Sequence, residues 1–261
     1  MTIKVLIVDD SALMRSLLTQ VIGNAPDIEV VGPADDPSAA RGRSVAPRPE
    51  APVRLVDVGG GFSQHLLTGH LIAIGASTGG TEAIKDVLTL LPAEMPPIVM
   101  VQHMPETFTA SFAKRLDGLS ALHVVEAQGG GERLRPGTAY LAPGHSHLRV
   151  RRQGGMFLAD LVKSEPRNRH RPSVDVLFDS VAEHVGRDAT GIILTGMGKD
   201  GAQGMLKMRN AGAWTIGQDQ ESCVVYGMPR EAAQVGAVAE VAPLSQISAR
   251  LLERLHKCER G

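Results

Sequence analysis

The chain has 261 residues, 43% of them hydrophobic and only 3% aromatic, and a formal net charge of −1. Length allows one large or two small domains, and the apolar fraction fits a packed core. The near-zero charge argues against general nucleic-acid steering, scarce aromatics argue against base-stacking or sugar platforms, and no apolar run approaches the ~20 residues a membrane helix needs.

Residues 3–10 read as a strand, Ile3 to Val8, that ends on two carboxylates, Asp9 and Asp10. Ser11 is an N-cap residue type ahead of a helix from Ala12 to Asn24, whose apolar face is Leu13, Leu17, Leu18, Val21 and Ile22. Ile28 to Gly32 reads as a second strand. This β-α-β start resembles the opening of a response-regulator receiver domain, a family in which paired aspartates after the first strand hold magnesium. Two acids at a helix start favour the helix dipole in any case, and Asp9 and Asp10 are taken as vestigial receiver acids. The resemblance then stops. Arg41 to Pro52 is rich in Arg, Pro, Ser and Ala and reads as an extended linker. The strand that would carry a phosphate-accepting aspartate has no clear counterpart, and Asp57 is the sole nearby candidate, otherwise a turn residue. The expected organisation is a truncated receiver-like segment over 1–40, a linker over 41–69 and a catalytic domain over 70–258. A remnant of about 40 residues buries too little surface to act as a regulatory lid, so activity independent of phosphodonors is expected.

From residue 70 onward strands and helices alternate. His70 to Ile74 and Pro97 to Gln102 are short apolar runs of the kind buried on both faces of a parallel sheet, and Thr81 to Leu91 has helical apolar spacing. His123 to Ala127 and Thr138 to Ala142 are further strands. Leu148 to Arg152 and Met156 to Val162, joined by Gln153-Gly154-Gly155, predict an antiparallel hairpin. A helix follows from Pro172 through Val185, then strands at Gly191–Gly196, Ala213–Gln218 and Ala237–Val241, and a last helix from Ser245 to Lys257. This alternation predicts an α/β fold with a doubly wound, mostly parallel sheet and an antiparallel hairpin appended. Cys223 and Cys258 are far apart and no signal peptide precedes them, which favours free thiols in a reducing cytoplasm. Cys223, among Ser222, Val224 and Val225, reads as buried.

The strand His70 to Ile74 runs into Gly75-Ala76-Ser77-Thr78-Gly79-Gly80. A serine on a tight strand-to-helix turn is pushed out at the carboxyl edge of a sheet, where helix-start amides can meet an oxyanion. The same turn can cradle a phosphate. The next strand ends on His103, and the run Gly191 to Gly196 ends on Met197-Gly198-Lys199-Asp200-Gly201. Ser77, His103 and Asp200 thus each stand just past a parallel strand, on the edge where open α/β sheets hold ligands. Taken singly, the histidine is a loop residue and the aspartate a turn former. Together they are a nucleophile, a base and its orienting carboxylate. Their order, Ser-His-Asp, departs from the Ser-Asp-His order of the common α/β-hydrolases. His145 and His147 lack metal-ligand companions and read as solvent-facing loop histidines, so no metal is expected.

Six segments carry a second resemblance: Ala73 to Gly80, Gln102 to Pro105, Tyr140 to Gly144, Asn168 to Phe178, Thr195 to Gly201 and Val224 to Arg230. In this order the stretch from about His70 to Leu252 resembles the catalytic domain of the bacterial chemotaxis protein-glutamate methylesterases. The resemblance implies a Ser77–His103–Asp200 triad. Thr78 and the Met197 backbone amide are candidates for oxyanion or nucleophile support, and the loop of Arg167, Arg169 and Arg171 reads either as a solvated basic loop before a helix or as a positive substrate rim, with Arg169 and Arg171 its candidates. The resemblance also implies hydrolysis of glutamate γ-methyl esters, and deamidation of certain glutamines, on the cytoplasmic helices of methylated chemoreceptors, with no cofactor. A chemotaxis histidine kinase is a further expected partner where the receiver remnant still docks. The rival readings are a Rossmann-like nucleotide- or phosphate-binding protein using Gly75 to Gly80, and a non-catalytic chemotaxis scaffold.

Overall fold

The computed structural model describes residues 61–260 and, before them, the backbones of two strands. Those strands, β1 (Ile3–Val8) and β2 (Ile28–Ala34), pair in parallel with a register shift between Val5 and Leu6. The helix expected over Ala12–Asn24, Asp9, Asp10, Asp57 and the linker over Arg41–Pro52 lie outside the described residues. The chain divides into two units, Met1–Pro52 and Val53–Gly261.

The second unit opens with a short helix, α1 (Gln64–Gly69), whose Ser63 side chain accepts the Leu66 amide as an N-cap. It falls within the stretch read as linker. A six-residue helix that buries only Leu66 and Leu67 carries no apolar period for a sequence to display.

Next comes a seven-stranded sheet built of β3 (Leu71–Ala76), β4 (Ile98–Gln102), β5 (His123–Glu126), β7 (Thr138–Leu141), β10 (Ala189–Ile193), β11 (Trp214–Gln218) and β12 (Glu240–Ala242). All its pairings are parallel, in the order β12-β11-β10-β3-β4-β7-β5. The chain enters at β3, builds outward through β4, and later returns to β3's other side at β10, so the strand order reverses there. The predicted hairpin, β8 (His147–Gln153) with β9 (Met156–Val162), gains a third strand in β6 (Glu132–Arg133).

Successive side chains of the central strands serve opposite cores, which is why these strands are apolar throughout. Ile72, Ile74 and Ala76 join one core with α2 (Gly80–Leu88), α3 (Glu106–Asp117) and α7 (Leu244–Arg260). Leu71 and Ala73 join the other with α4 (Val174–His184), α5 (Ala202–Asn210), α6 (Met228–Gln234) and the inner face of the hairpin. Two helical layers around one parallel sheet leave only the strand ends for chemistry. No helix among the described residues is long and apolar enough to cross a membrane.

Candidate active site at the carboxyl edge of the sheet

Ser77 follows the last residue of β3. Its amide donates to the Thr195 carbonyl at 3.0 Å, and its carbonyl accepts the Gly80 amide at 2.7 Å and the Gln102 side-chain amide at 2.9 Å. Gly79 takes φ 79° at the start of α2, the left-handed region that favours glycine, and so turns the chain from strand to helix within three residues. A Cβ there would also stand 2.6 Å from the Val224 side chain.

His103 follows β4 directly. Its amide donates to the Ala76 carbonyl at 3.1 Å, and the Gln102 side-chain amide that binds the Ser77 carbonyl also donates to the His103 carbonyl at 3.1 Å. One buried side chain thus ties the two loop ends together. The His103 side chain is 7% exposed and its Nε2 lies 2.8 Å from Asp200 Oδ2.

Asp200 is 1% exposed and accepts hydrogen bonds on both oxygens. Oδ2 takes His103 Nε2 and the Val174 amide at 2.7 Å; Oδ1 takes Ser173 Oγ at 2.7 Å, Asn168 Nδ2 at 2.8 Å and the Asp175 amide at 3.2 Å. Burial pushes this carboxyl upward, but the donors from His103, Asn168, Ser173 and Val174 outweigh it and hold it down at about 2. Asp200 is therefore ionised at neutral pH and can only accept, so the His103 hydrogen sits on Nε2. Nδ1 is then the lone-pair nitrogen. It is buried and without a hydrogen-bond partner among the described residues.

The carboxylate sits against the first turn of α4, whose Val174 and Asp175 amides point at it. It takes the place of an N-cap and meets the positive end of the helix dipole. Close approach makes this possible. A Cβ on Gly75 would overlap the Val174 side chain, and one on Gly201 would lie 2.6 Å from it. Ser173 is the N-cap residue, yet its hydroxyl goes to Asp200 and not to its own helix.

The loop from Thr195 to Gly201 lies against the serine: a Cβ on Gly196 would stand 2.7 Å from Ser77 Cβ. The Gly196 carbonyl accepts the Gly227 and Met228 amides at 3.1 and 2.8 Å, and its amide donates to the Val225 carbonyl at 3.0 Å. Met197, next in line, is 65% exposed, and Val224 across from Gly79 is 70% exposed. Thr78 is exposed, with its carbonyl accepting from Thr195 Oγ1 at 2.9 Å.

The arginines expected on the rim divide. Arg169 is exposed, while exposed Arg171 donates to the Ser164 carbonyl at 3.1 Å. Two sequence expectations are corrected. His147 is not a solvent-facing loop residue: it opens β8 fully buried, with Nε2 donating to the Glu165 carbonyl and Nδ1 accepting the Ser173 amide, both at 3.1 Å. His145 is half-buried, its Nδ1 2.7 Å from Ser146 Oγ. Cys223 is half-exposed and not buried, because it lies in the irregular stretch after β11. Partial burial still pushes its thiol up to about 11, so it is no nucleophile at neutral pH.

Sequence reasoning missed the donors that surround the aspartate. Ser173 carried a signal, being an N-cap residue type directly before a helix. Asn168 opens one of the segments that carry the resemblance, but its contact with Asp200 depends on a loop folding over that carboxylate. Among the described residues no three of His, Cys, Asp and Glu converge as a metal-ligand set.

The family model described as CheB methylesterase matches residues 72–251. A protein-glutamate methylesterase/protein-glutamine glutaminase of Dechloromonas aromatica (strain RCB) is 45% identical, the alignment covering 95% of this chain and 97% of that protein. One from Nitrosomonas europaea is 42% identical over 97% of this chain and 96% of its own length. The Dechloromonas alignment runs to 341 positions against a chain of 261 residues, so at least 80 positions of the alignment face gaps in this chain. The crystal structure of the Thermotoga maritima CheB methylesterase catalytic domain superposes with a TM-score of 0.69 at 43% identity, covering 71% of this chain and 98% of that one. With the family model covering residues 72–251, and with them Ser77, His103 and Asp200, the chain belongs to the CheB methylesterase family.

Proposed function

We propose that this chain is a protein-glutamate methylesterase that also deamidates glutamine, acting on the cytoplasmic helices of methylated chemoreceptors. The observation that carries the reading is the His103–Asp200 pair at 2.8 Å, with an unpartnered His103 Nδ1, on the strand end beside Ser77. Ser77 Oγ attacks the γ-carbonyl carbon of the ester while His103 Nδ1 takes the hydroxyl proton. Asp200 stabilises the imidazolium that forms and keeps the tautomer in place. The tetrahedral intermediate expels methoxide, which takes the proton from His103 and leaves as methanol. Water then attacks the acyl-enzyme by the same relay and releases glutamate. With an amide, ammonia leaves in place of methanol. The amides of Thr78 and Met197 are the proposed oxyanion donors, Gly196 bringing that loop against the serine. Arg169 and Arg171 stand as the rim for the acidic neighbours of a receptor glutamate. Met197 and Val224 are exposed apolar residues fit to contact a helix laid across the site.

The phosphate-cradle alternative is disfavoured because the Gly80 amide already donates to the Ser77 carbonyl. The test is methanol release from methylated receptor membranes. Ser77→Ala should abolish it, and a fluorophosphonate should label Ser77 in the unmodified protein. Normal turnover by the variant, or labelling elsewhere, would overturn the nucleophile.

A further inference from the structure

The loop Arg167–His170 does two things to the His103–Asp200 pair. Asn168 donates to Asp200 Oδ1 at 2.8 Å, and the His170 ring lies face to face on the His103 ring, with centroids 3.8 Å apart and planes 9° from parallel. The loop is closed on itself by mutual backbone bonds between Arg167 and His170, at 3.0 and 2.9 Å, and turns through Asn168 and Arg169 at φ 51° and 69°. A single hydrogen bond at Nε2 leaves the His103 ring free to swing about that bond. A parallel ring stacked on its face removes this freedom and leaves the Nδ1 edge clear.

We infer that His170 is a positioning residue for the base: its ring, stacked 3.8 Å from that of His103, fixes the plane of His103 and leaves the Nδ1 edge clear. The groups facing it are His103 and, beyond it, Asp200. On its own loop Arg167 is drawn to Asp179 at 2.5 Å and towards Asp175 at 4.0 Å, Arg171 to the Ser164 carbonyl, and Arg169 is exposed. Burial, then the neighbouring His103, hold the His170 imidazole below its ordinary range against the pull of Asp200. It is thus neutral at neutral pH. A proton added to it on acidification would face the imidazolium His103 must form.

The inference rests on Ser77 and His103 being nucleophile and base, not on the identity of the ester. The probe is therefore a fluorophosphonate, with kinact and KI for Ser77 measured between pH 5 and 9 in the full chain. His170→Ala should lower kinact about ten- to a hundredfold with KI unchanged, the cost of a misplaced base. His170→Phe should restore most of that loss, because it stacks without titrating, and should make the acid limb shallower. His170→Arg, which offers a planar guanidinium able to stack but permanently charged, should stay slow at every pH. Melting temperatures identify any variant that does not fold, and the Phe and Arg variants, both bulky, then decide between themselves. Equal kinact in all four proteins, an effect confined to KI, or an arginine variant as fast as phenylalanine would overturn the inference. No labelling of Ser77 in the unmodified protein would instead overturn the nucleophile itself.

Discussion

Two buried histidines stand at opposite ends of the same sheet, and their fates differ. His70 precedes β3 at the amino edge and is 5% exposed, with Nε2 3.0 Å from the Thr190 hydroxyl. Burial pushes it down to about 4, against a weaker upward pull from Asp188, with Arg254 adding to the descent. It stays neutral and holds the strand start in place. His103 is as deeply set but faces the ionised Asp200, which offers a cation a partner. Burial without a strong charged partner favours the neutral form of a histidine, whereas an ionised carboxylate in contact with a ring favours the charged one. Asp200 in turn owes its charge to five donors, two of them first-turn amides of α4.

The sharpest way to break the contrast is to neutralise that carboxylate. Asp200→Asn should lower kcat by roughly 10³ to 10⁴, as loss of the orienting carboxylate does in a serine triad, while circular dichroism stays unchanged. A rate near normal in a folded variant would move the orienting role elsewhere. A smaller effect should follow from removing one donor. Ser173→Ala and Asn168→Ala should each lower kcat about tenfold, since one hydrogen bond to a charged group is worth ~1.5–3 kcal/mol and four donors stay behind. Their acid limbs should move upward in pH, because fewer bonds hold the Asp200 proton off. Variants indistinguishable from the parent in both kcat and profile would show the cage to be redundant.

At the other edge the expected effect is on stability alone. His70 binds its proton less readily in the folded chain than in the unfolded one, so its contribution is full above about pH 6.5 and is lost as pH falls toward about 4. The loss is on the order of 3 kcal/mol across that window. His70→Gln keeps a partner for Thr190 but does not titrate. Urea unfolding at pH 7 and pH 5 should show a smaller difference for the variant than for the parent, with esterase activity at neutral pH the same in both. An unchanged difference would mean that other groups carry the acid sensitivity.

Much of the edge was legible from residues alone. Short apolar runs at Leu71, Ile98 and Ala189 announce strands buried on both faces, and Ser77, His103 and Asp200 follow such runs by one residue or a few. The hairpin of β8 and β9 was signalled by its Gln153-Gly154-Gly155 turn. Less visible were α1, too short to show a period, and His147, whose burial depends on a partner 26 residues away.

The local pattern of apolar spacing, glycine and polar punctuation determined the α/β class, the strand ends and the three reactive residue types, because those properties are set by neighbours within a turn or a pleat. Which nitrogen of His103 is left without a partner among the described residues, how Asp200 stays ionised, and that the His170 ring stacks on His103 were decided only by the tertiary structure. His103 meets Asp200 across 97 positions of chain, and Asp200 owes two of its five donors to α4 docking its first turn onto it from 25 and 26 positions away. That docking requires the absence of side chains at Gly75 and Gly201 facing Val174, and no spacing rule within a single element encodes a fit between two surfaces.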